Sequence, residues 1–240
     1  MNATPAGSAE PAGRTETPGQ LARRLLREAV KATLATRLEG GAVEGSWPYA
    51  SLVLVAADVD GTPILLLSKL AQHTHNIVGN PHVSLLVDGT EGHKDVLTGP
   101  RATLIGRTRL TEDPQSRRRF IARHPSAALY AGFKDFHVYR LELDRAHLVA
   151  GFGRIEWIER DQLLLPTMQC QSCGESEEAI LAAANEGRDE QQWQAVALDP
   201  EGVDLRRGTS LRRIAFEEPL TSMKKARALV ARALEEAAKA

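Results

Sequence analysis

The side chains best suited to chemistry are seven histidines and one Cys-x-x-Cys pair, Cys170 and Cys173. A structural zinc site needs two further ligands at suitable spacing, but the nearest histidine, His147, lies well upstream. A thioredoxin-like pair should open a helix after a strand, whereas this pair follows the Leu163–Pro166 segment. We therefore predict neither a metal site nor a redox pair, and we expect both cysteines to lie on a surface loop.

The Gly151-Phe-Gly-Arg154 segment is a second candidate for function. Paired glycines within a strand weaken it and often mark close approach of the backbone to a ligand or another chain. A β-bulge would explain them equally well. If Arg154 faces a site, its guanidinium could pair with a phosphate or a haem propionate.

Other polar side chains cluster between residues 68 and 76. Ser68 and Lys69 end a strand, and His73 and His75 follow on a short polar helix. Each histidine could contact a ligand or simply be solvated, and Asn76 could bind a ligand or, as we favour, cap the turn before Gly79. Asp135 and His137 could face a neighbouring subunit or plain solvent. No side chain stands out as an acid, base or nucleophile.

These candidates would be positioned by about seven strands within the first 158 residues, a pattern typical of a closed antiparallel barrel. An amphipathic helix is predicted from Pro18 to Val30. Asp60-Gly61 between two apolar runs predicts a β-hairpin. Further predicted strands and helices occupy residues 33–38, 49–57, 63–68, 71–78 (helix), 83–87, 101–109, 111–124 (helix), 136–143 and 147–158.

Periodicity lapses between Glu159 and Gly174, which predicts a domain boundary. We assign residues 1–18 to a disordered tail, 19–160 to a split-barrel cofactor-binding domain, 161–174 to a linker and 175–240 to a small α+β domain. The last part is predicted as a helix, three strands and a C-terminal helix that docks on a small sheet.

The charge composition limits the kinds of partner that the chain can attract. The 240 residues carry 30 basic and 31 acidic side chains, so bulk charge attracts the chain neither to nucleic acid nor to an anionic membrane, although a local basic patch stays open. No run approaches the length needed to span a bilayer, and the N-terminus lacks the apolar region of a secretory signal. We expect a soluble cytoplasmic protein with a small-molecule substrate.

Several stretches in order resemble the pyridoxamine-phosphate-oxidase-like split-barrel superfamily, and more narrowly its haem-utilisation branch with a C-terminal small α+β domain. The matching covers nearly everything after Pro18. The stretches that carry it are Pro48–Asp58, Leu65–Ile77, Asn80–Leu86, Leu97–Gly106, Gly132–Phe136, Gly151–Arg154, Asp199–Leu205 and Arg213–Phe216.

The resemblance implies a homodimer that holds two cofactors between its subunits, with FMN expected and haem as the alternative. Gln72 and His73 fall where the oxidases place an Arg-Lys phosphate pair, and Arg101 falls where they use a glutamine, so the grip on a phosphate should be weaker unless Lys69 or Arg101 compensates. The cofactor-binding residues that the resemblance implies are Ala50, Ser51, Leu52, Val53, Leu67, Ser68, Lys69, Gln72, His73, Asn76, Arg101 and Arg154.

Three functions follow from this resemblance: an FMN-binding oxidoreductase, a protein that binds or breaks down haem at the same interface, and a cofactor-free binding or regulatory module. The branch usually carries a histidine-containing motif in its small domain, but here the segment from Glu178 to Asp189 keeps the asparagine, Asn185, and lacks both histidines. Since no histidine follows His147, an axial histidine would have to come from the barrel. We expect the FMN protein first and the haem protein second.

Overall fold

The structure, a computed structural model, describes residues 16–39, 45–151 and 153–239. Within them, one curled antiparallel sheet contains β1 (Lys31–Glu39), β2 (Ser46–Leu54), β3 (Ala56–Ala57), β4 (Pro63–Ser68), β5 (His82–Asp88), β6 (Arg101–Thr111), β7 (Phe136–Val149) and β8 (Ile155–Glu159). A smaller sheet contains β9 (Gln194–Asp199), β10 (Gly202–Arg207) and β11 (Ser210–Ala215). The helices are α1 (Pro18–Glu28), α2 (Gln72–Gly79), α3 (Pro114–Arg123), α4 (Arg160–Leu163), α5 (Thr167–Ala184) and α6 (Ala226–Lys239).

The predicted fold class is confirmed: a split barrel is followed by a small α+β region. The large sheet has the strand order β2-β1-β5-β6-β7-β4-β3, and β8 pairs with β7. None of the helices in the described ranges is both long and apolar enough to cross a bilayer. The assigned tail lies largely outside the described residues, as do Gly40, Gly41 and Phe152.

Local signals account for the first elements of the barrel. Thr17 caps α1 by accepting a hydrogen bond from the backbone N–H of Gln20, and the apolar side of α1 is buried in the barrel core. The hairpin between β3 and β4 turns at Asp60-Gly61, where the N–H of Gly61 donates to the carbonyl of Asp58. Gly61 has a φ of +93°, a conformation that glycine adopts without steric cost.

Strand β7 corrects the sequence-based expectation. Two strands were predicted with a break near Asp144, but the structure has one strand from Phe136 to Val149. The polar pair Asp144 and Arg145 is exposed, and the irregularity is absorbed by a register shift opposite Ile105 and Gly106 in β6. The polar dipeptide Asp144-Arg145 therefore indicates a β-bulge within β7 and not the end of a strand.

The glycine pair after β7 is also explained by the backbone. The N–H of Ala150 donates to the carbonyl of Arg154 at 2.8 Å, which closes a turn between β7 and β8. Gly151 has a φ of +116° and Gly153 of +82°. The glycines therefore serve the turn rather than lying within a strand, and Arg154 is exposed at its end.

The predicted surface loop for the cysteines is wrong, because the segment that contains them is helical. Residues 160–163 form α4, and α5 begins at Thr167 and contains both Cys170 and Cys173. Small side chains such as cysteine, serine and glycine give residues Thr167–Gly174 little hydrophobic periodicity, so the sequence predicted only the later part of this helix, from Glu175 onward. Cys173 is buried against the small sheet, and burial raises the pKa of both thiols to about 12. Neither thiol is a nucleophile at neutral pH.

A buried cluster of ion pairs fastens the small sheet to the barrel. Asp199, at the end of β9, receives two hydrogen bonds from the Arg213 guanidinium at 2.9 and 3.0 Å. Arg27 of α1 lies 3.2 Å from the same carboxylate and also pairs with Glu201. All three groups of the Arg27–Asp199–Arg213 set are buried, so the charges depend on one another for solvation.

The same cluster extends to α3 and α5. Arg119 forms ion pairs with the fully buried Glu177 and donates to the carbonyl of Leu198 at 2.9 Å. Glu177 also accepts a hydrogen bond from the N–H of Leu198 at 2.9 Å. Helices from both parts of the chain thus meet at the end of β9.

We expect Asp199→Asn to lower the free energy of unfolding by about 3–5 kcal/mol, because it leaves buried arginines without their counter-charge. Urea unfolding followed by tryptophan fluorescence would measure this loss. Arg232→Ala, which breaks an exposed ion pair to Glu217, is the matched control and should change stability by less than about 0.5 kcal/mol. Equal effects of the two substitutions would contradict a structural role for the cluster.

The cluster should also give a pH dependence. Burial raises the pKa of Asp199, but Arg213 and Arg27 outweigh this effect and hold it at about 2, below the ordinary value of 3.8. Since the folded-state pKa is lowered, this stabilisation is present above pH 3.8 and is lost as the pH falls towards 2. The wild-type protein should therefore lose stability over this range by more than the Asp199→Asn variant does.

Candidate functional site

The candidate site lies at the corner where β4 ends and α2 begins. The Ser68 hydroxyl donates to the Asp135 carboxylate at 2.8 Å, and the N–H of Lys69 donates to the Asp135 carbonyl at 2.7 Å. The N–H of Leu70 in turn donates to the Ser68 hydroxyl at 3.1 Å. Two segments that are 67 residues apart are therefore fixed side by side ahead of α2.

His73, in the first turn of α2, is the site's most distinctive group. Its Nδ1 lies 3.2 Å from the Ser51 hydroxyl, and the imidazole is half-buried. Burial lowers the pKa of His73 below 6.5, so the ring is neutral at pH 7. Within the described residues Nε2 has no hydrogen-bond partner, which leaves this nitrogen available to a ligand.

Side-chain amides fix α2 to the barrel. The Gln72 amide donates to the Asn76 carbonyl oxygen at 2.9 Å, and the Asn76 amide donates to the Thr36 hydroxyl of β1 at 2.9 Å. Asn76 is buried, so its side chain serves neither the turn that we favoured nor an exposed ligand contact. It orients the helix that carries His73.

One face of β2 leads to His73. Alternation along the strand places Trp47, Tyr49 and Ser51 on the same face. Trp47 is 56% exposed and Tyr49 is half-buried, so an aromatic surface runs along the strand towards the imidazole. This surface and the neutral nitrogen are suited to a flat, largely apolar ligand.

The other residues predicted around Ser51 divide between the two faces of the sheet. Ala50 and Leu52 are exposed on the opposite face of β2, with Leu52 at 69% exposure, and Val53 is buried. Leu67 is also buried and pairs with His137 of β7. Of this predicted group, the structure brings Ser51, Ser68, Lys69, Gln72, His73 and Asn76 to the corner.

Arg101 and Arg154 lie away from this corner in a single chain. Arg101 pairs with Val149 at the last residue of β7, whereas Asp135 precedes the first residue of that strand. The Arg101 guanidinium donates to the carbonyls of Leu97 and Gly99 at 3.0 and 3.2 Å. Neither arginine therefore compensates, within one chain, for the missing phosphate-binding pair.

A wide outer face of the barrel was missed by the sequence analysis. Directly paired residues share one face of a sheet, and one such row crosses six strands and contains no lysine, arginine, aspartate or glutamate. Period-2 alternation could have identified its members, but not their alignment across strands. The row consists of Leu52, Thr33, Leu86, Thr103, His147 and Trp157.

His147 and Trp157 close this row with an aromatic contact, their ring centroids 4.7 Å apart. The Arg145 guanidinium lies over the Trp157 ring at 4.6 Å from its centroid. Trp157 is nevertheless 54% exposed. Exposed aliphatic and aromatic side chains on one sheet face are characteristic of surfaces that bind another protein.

The residues at the corner fit a phosphate group poorly. Ala71 provides no side-chain cap, so the first N–H groups of α2 remain available to an anion. However, neither His73 nor Gln72 provides a positive charge. The Ser68 hydroxyl already donates its hydrogen bond to the Asp135 carboxylate, so it is not free to donate to a phosphate. Lys69 is the cation that the corner contributes. No group of three or more metal-ligating side chains comes together in the described part of the chain.

Comparisons with known proteins agree with this fold. The family model described as "CREG, beta-barrel" matches residues 14–164. The "Non-canonical heme oxygenase HOZ, chloroplastic" of Arabidopsis thaliana is 36% identical over 108 residues, which cover 44% of this chain and 32% of that protein. The chain thus spans about a third of the length of this curated relative.

Two solved structures share the fold over nearly the whole chain. Protein Atu2129 of Agrobacterium tumefaciens, of unknown function, has a TM-score of 0.74 and 26% identity over 94% of this chain and 98% of its own. A haem-binding protein of Mycobacterium smegmatis has a TM-score of 0.57 and 23% identity over 95% of this chain and 100% of its own. The second likeness supports the fold alone.

We expect His73 to titrate below the ordinary histidine pKa of 6.5, because burial disfavours its charged form. NMR titration of the imidazole nitrogens would measure this, with the His73 signals assigned from their loss in His73→Gln. A midpoint at or above 6.5 would contradict the half-buried, neutral imidazole.

Proposed function

Because this chain belongs to the CREG β-barrel family, we propose that it binds haem at the corner of β4 and α2, with His73 as the axial ligand. The observation that carries the proposal is the neutral His73 imidazole, whose Nδ1 faces the Ser51 hydroxyl and whose Nε2 is left to a ligand. The plant relative named as a haem oxygenase adds support from sequence.

The contacts of His73 suit a metal ligand. An iron-bound histidine is neutral at the coordinating nitrogen and usually has its other nitrogen held by a hydrogen bond that orients the ring. Ser51 would fill that orienting role from β2, while the Gln72–Asn76–Thr36 chain holds the helix in place. Bound haem would supply a redox-active iron, and the chain would supply its ligand and its apolar surroundings.

The surroundings suit a porphyrin better than a phosphate. Trp47 and Tyr49 present aromatic surface on the same strand face as Ser51. Lys69 is exposed at the corner, where its ammonium group could pair with a propionate. A phosphate dianion needs more counter-charge beside the Asp135 carboxylate than one flexible lysine gives, whereas a propionate carries a single charge.

FMN is the second candidate for the same site. The uncapped N–H groups at the start of α2, next to Ser68 and Lys69, favour it because helix N-termini bind phosphates. In this arrangement the protein would be a flavin-dependent oxidoreductase. The Asp135 carboxylate weighs against it, so we place FMN after haem.

We further propose that two copies associate through the outer face of the barrel, as the family resemblance implies. The row from Leu52 to Trp157 supplies the apolar surface for such a contact. Arg101 lies on the same face of β6, two residues from Thr103.

Haemin titration should give a saturable Soret band for the wild-type protein, and His73→Ala should weaken binding at least about 10-fold through loss of the axial ligand. His75→Ala is the matched control, because His75 is exposed on the same helix and should leave affinity unchanged. A parallel titration with FMN separates the two candidates. Stoichiometric flavin uptake without a Soret band would reverse their order, and a Soret band that persists in His73→Ala would reject His73 as the ligand.

The dimer is tested by placing a charge on the outer face. The test variant is Leu86→Arg, because Leu86 is 38% exposed in the middle of the row. We expect sedimentation velocity to show a monomer in place of a dimer, because the arginine charge would be buried at the contact. Leu110→Arg is the control, since Leu110 is 57% exposed on β6 outside the row. A wild-type protein that sediments as a monomer would contradict the proposed association.

A further inference from the structure

One edge of the small sheet is open. Its strands have the order β11-β10-β9, and within the described residues no strand pairs with the outer side of β11. The N–H of Phe216, just after β11, donates inward to the carbonyl of Glu201 at 2.9 Å. Backbone groups of alternate residues point to opposite sides of a strand, so those of Leu211, Arg213 and Ala215 point outward. The edge of β11 therefore presents a row of backbone donors and acceptors to a further strand.

A cleft of about 580 Å³ lies beside this edge, between the end of β11 and α6. It forms because α6 packs on β9 and β10 and leaves β11 largely uncovered. Ile214, Phe216 and Leu229 line the cleft and are only partly buried. Leu229 and Ala233 are one helical turn apart, so one side of α6 forms a wall along the cleft. A strand added to β11 would place alternate side chains against this wall.

The same face of β11 carries an arginine without a counter-charge. Arg212 pairs with Leu205 and Ile214 pairs with Val203, and both partners are buried in the core beneath α6. Arg212 and Ile214 therefore share the face that borders the cleft. Arg212 is half-buried, and its guanidinium has no hydrogen bond or ion pair within the described residues. A guanidinium in this position favours a carboxylate from the molecule that binds beside it.

A second copy of β11 would not supply that carboxylate. The strand Ser210–Ala215 contains two arginines and no acidic residue, so pairing with itself would add like charges at the contact. The edge and the cleft are instead suited to an extended segment of a different protein. We propose that such a segment adds to β11 as a fourth strand of the small sheet, with an acidic residue facing Arg212. An aliphatic residue two positions away would then face Ile214 and the cleft.

Selection of random octapeptides displayed on phage against the immobilised full-length protein tests the proposal. We expect the enriched peptides to share an acidic residue two positions from an aliphatic one. The tightest of them, made as a synthetic peptide with a fluorescent label, gives the dissociation constant by fluorescence anisotropy. Failure to enrich any peptide, or enrichment of peptides without this spacing, would overturn the proposal.

Methylation of the peptide amides distinguishes strand addition from other modes of binding. In an added strand, every second N–H donates to β11 and the N–H groups between them face away. Methylation of one alternate set of amides should therefore abolish binding, whereas methylation of the other set should weaken it far less. Equal losses from both sets would contradict binding as a strand.

Variants of the edge locate the binding site on the protein. Arg212→Glu should weaken binding about 10-fold, and lysine in place of the peptide's acidic residue should restore it, because the two charges are then exchanged. The matched control is Arg227→Glu, a charge reversal at an exposed position of α6 outside the cleft, which should leave binding unchanged. Ala215→Pro should also weaken binding because it removes one outward N–H, whereas Ala215→Ser keeps that N–H and should bind like the wild-type protein.

Circular dichroism of each variant establishes that the fold is kept. If Arg227→Glu weakens peptide binding as much as Arg212→Glu, the peptide does not bind at β11 and the proposal is wrong. If no peptide binds and Arg212→Glu instead lowers self-association in sedimentation velocity, the edge pairs with a second copy, which also overturns it. The edge of β11 includes neither His73 nor the outer face of the barrel, so these outcomes are independent of the haem titration and of the Leu86→Arg variant.

Discussion

The Asp199 carboxylate, held between Arg27 and Arg213, is the contact on which the arrangement of the two sheets depends. The barrel and the small sheet each have their own apolar core, so hydrophobic burial stabilises each part but does not by itself fix how they meet. Buried guanidinium–carboxylate pairs are directional and costly to separate, and they specify one orientation. Helix α1 belongs to both parts, because its leucines enter the barrel core while Arg23 and Arg27 bind Glu201.

This fixed frame explains how a site can form from short-range polar contacts. Ser68 and Asp135 come together because β4 pairs with the first residues of β7. Ser51 meets His73 because α2 packs on β1 next to β2. The side chains around the imidazole are therefore positioned by strand pairing, and their chemistry is set by burial: a neutral histidine, an engaged carboxylate and an exposed lysine.

Features with a local physical cause could be predicted from the sequence. The amphipathic α1, the Asp60-Gly61 hairpin and the positions of most barrel strands along the chain follow from periodicity and turn chemistry, and the family resemblance identified the fold. The first part of α5, Thr167–Gly174, could not be predicted because its small side chains hide its buried face, whereas the helix from Glu175 onward was predicted. The separation of Arg101 from His73 is likewise invisible in sequence, since it depends on which ends of long strands lie together. The Ser68–Asp135 contact joins turns that no local pattern connects.

The anchoring of α2 has a consequence for motion. Its buried residues are Thr74, Asn76 and Ile77, so a single aliphatic side chain and a few amide and hydroxyl contacts hold it to the barrel. Segments with so few buried apolar contacts open locally at a lower free energy than the strands around them. Amide hydrogens of α2 would exchange with solvent while those of β5 and β6 stay protected. The helix that carries His73 should therefore open locally at a lower free energy than the strands on which it packs.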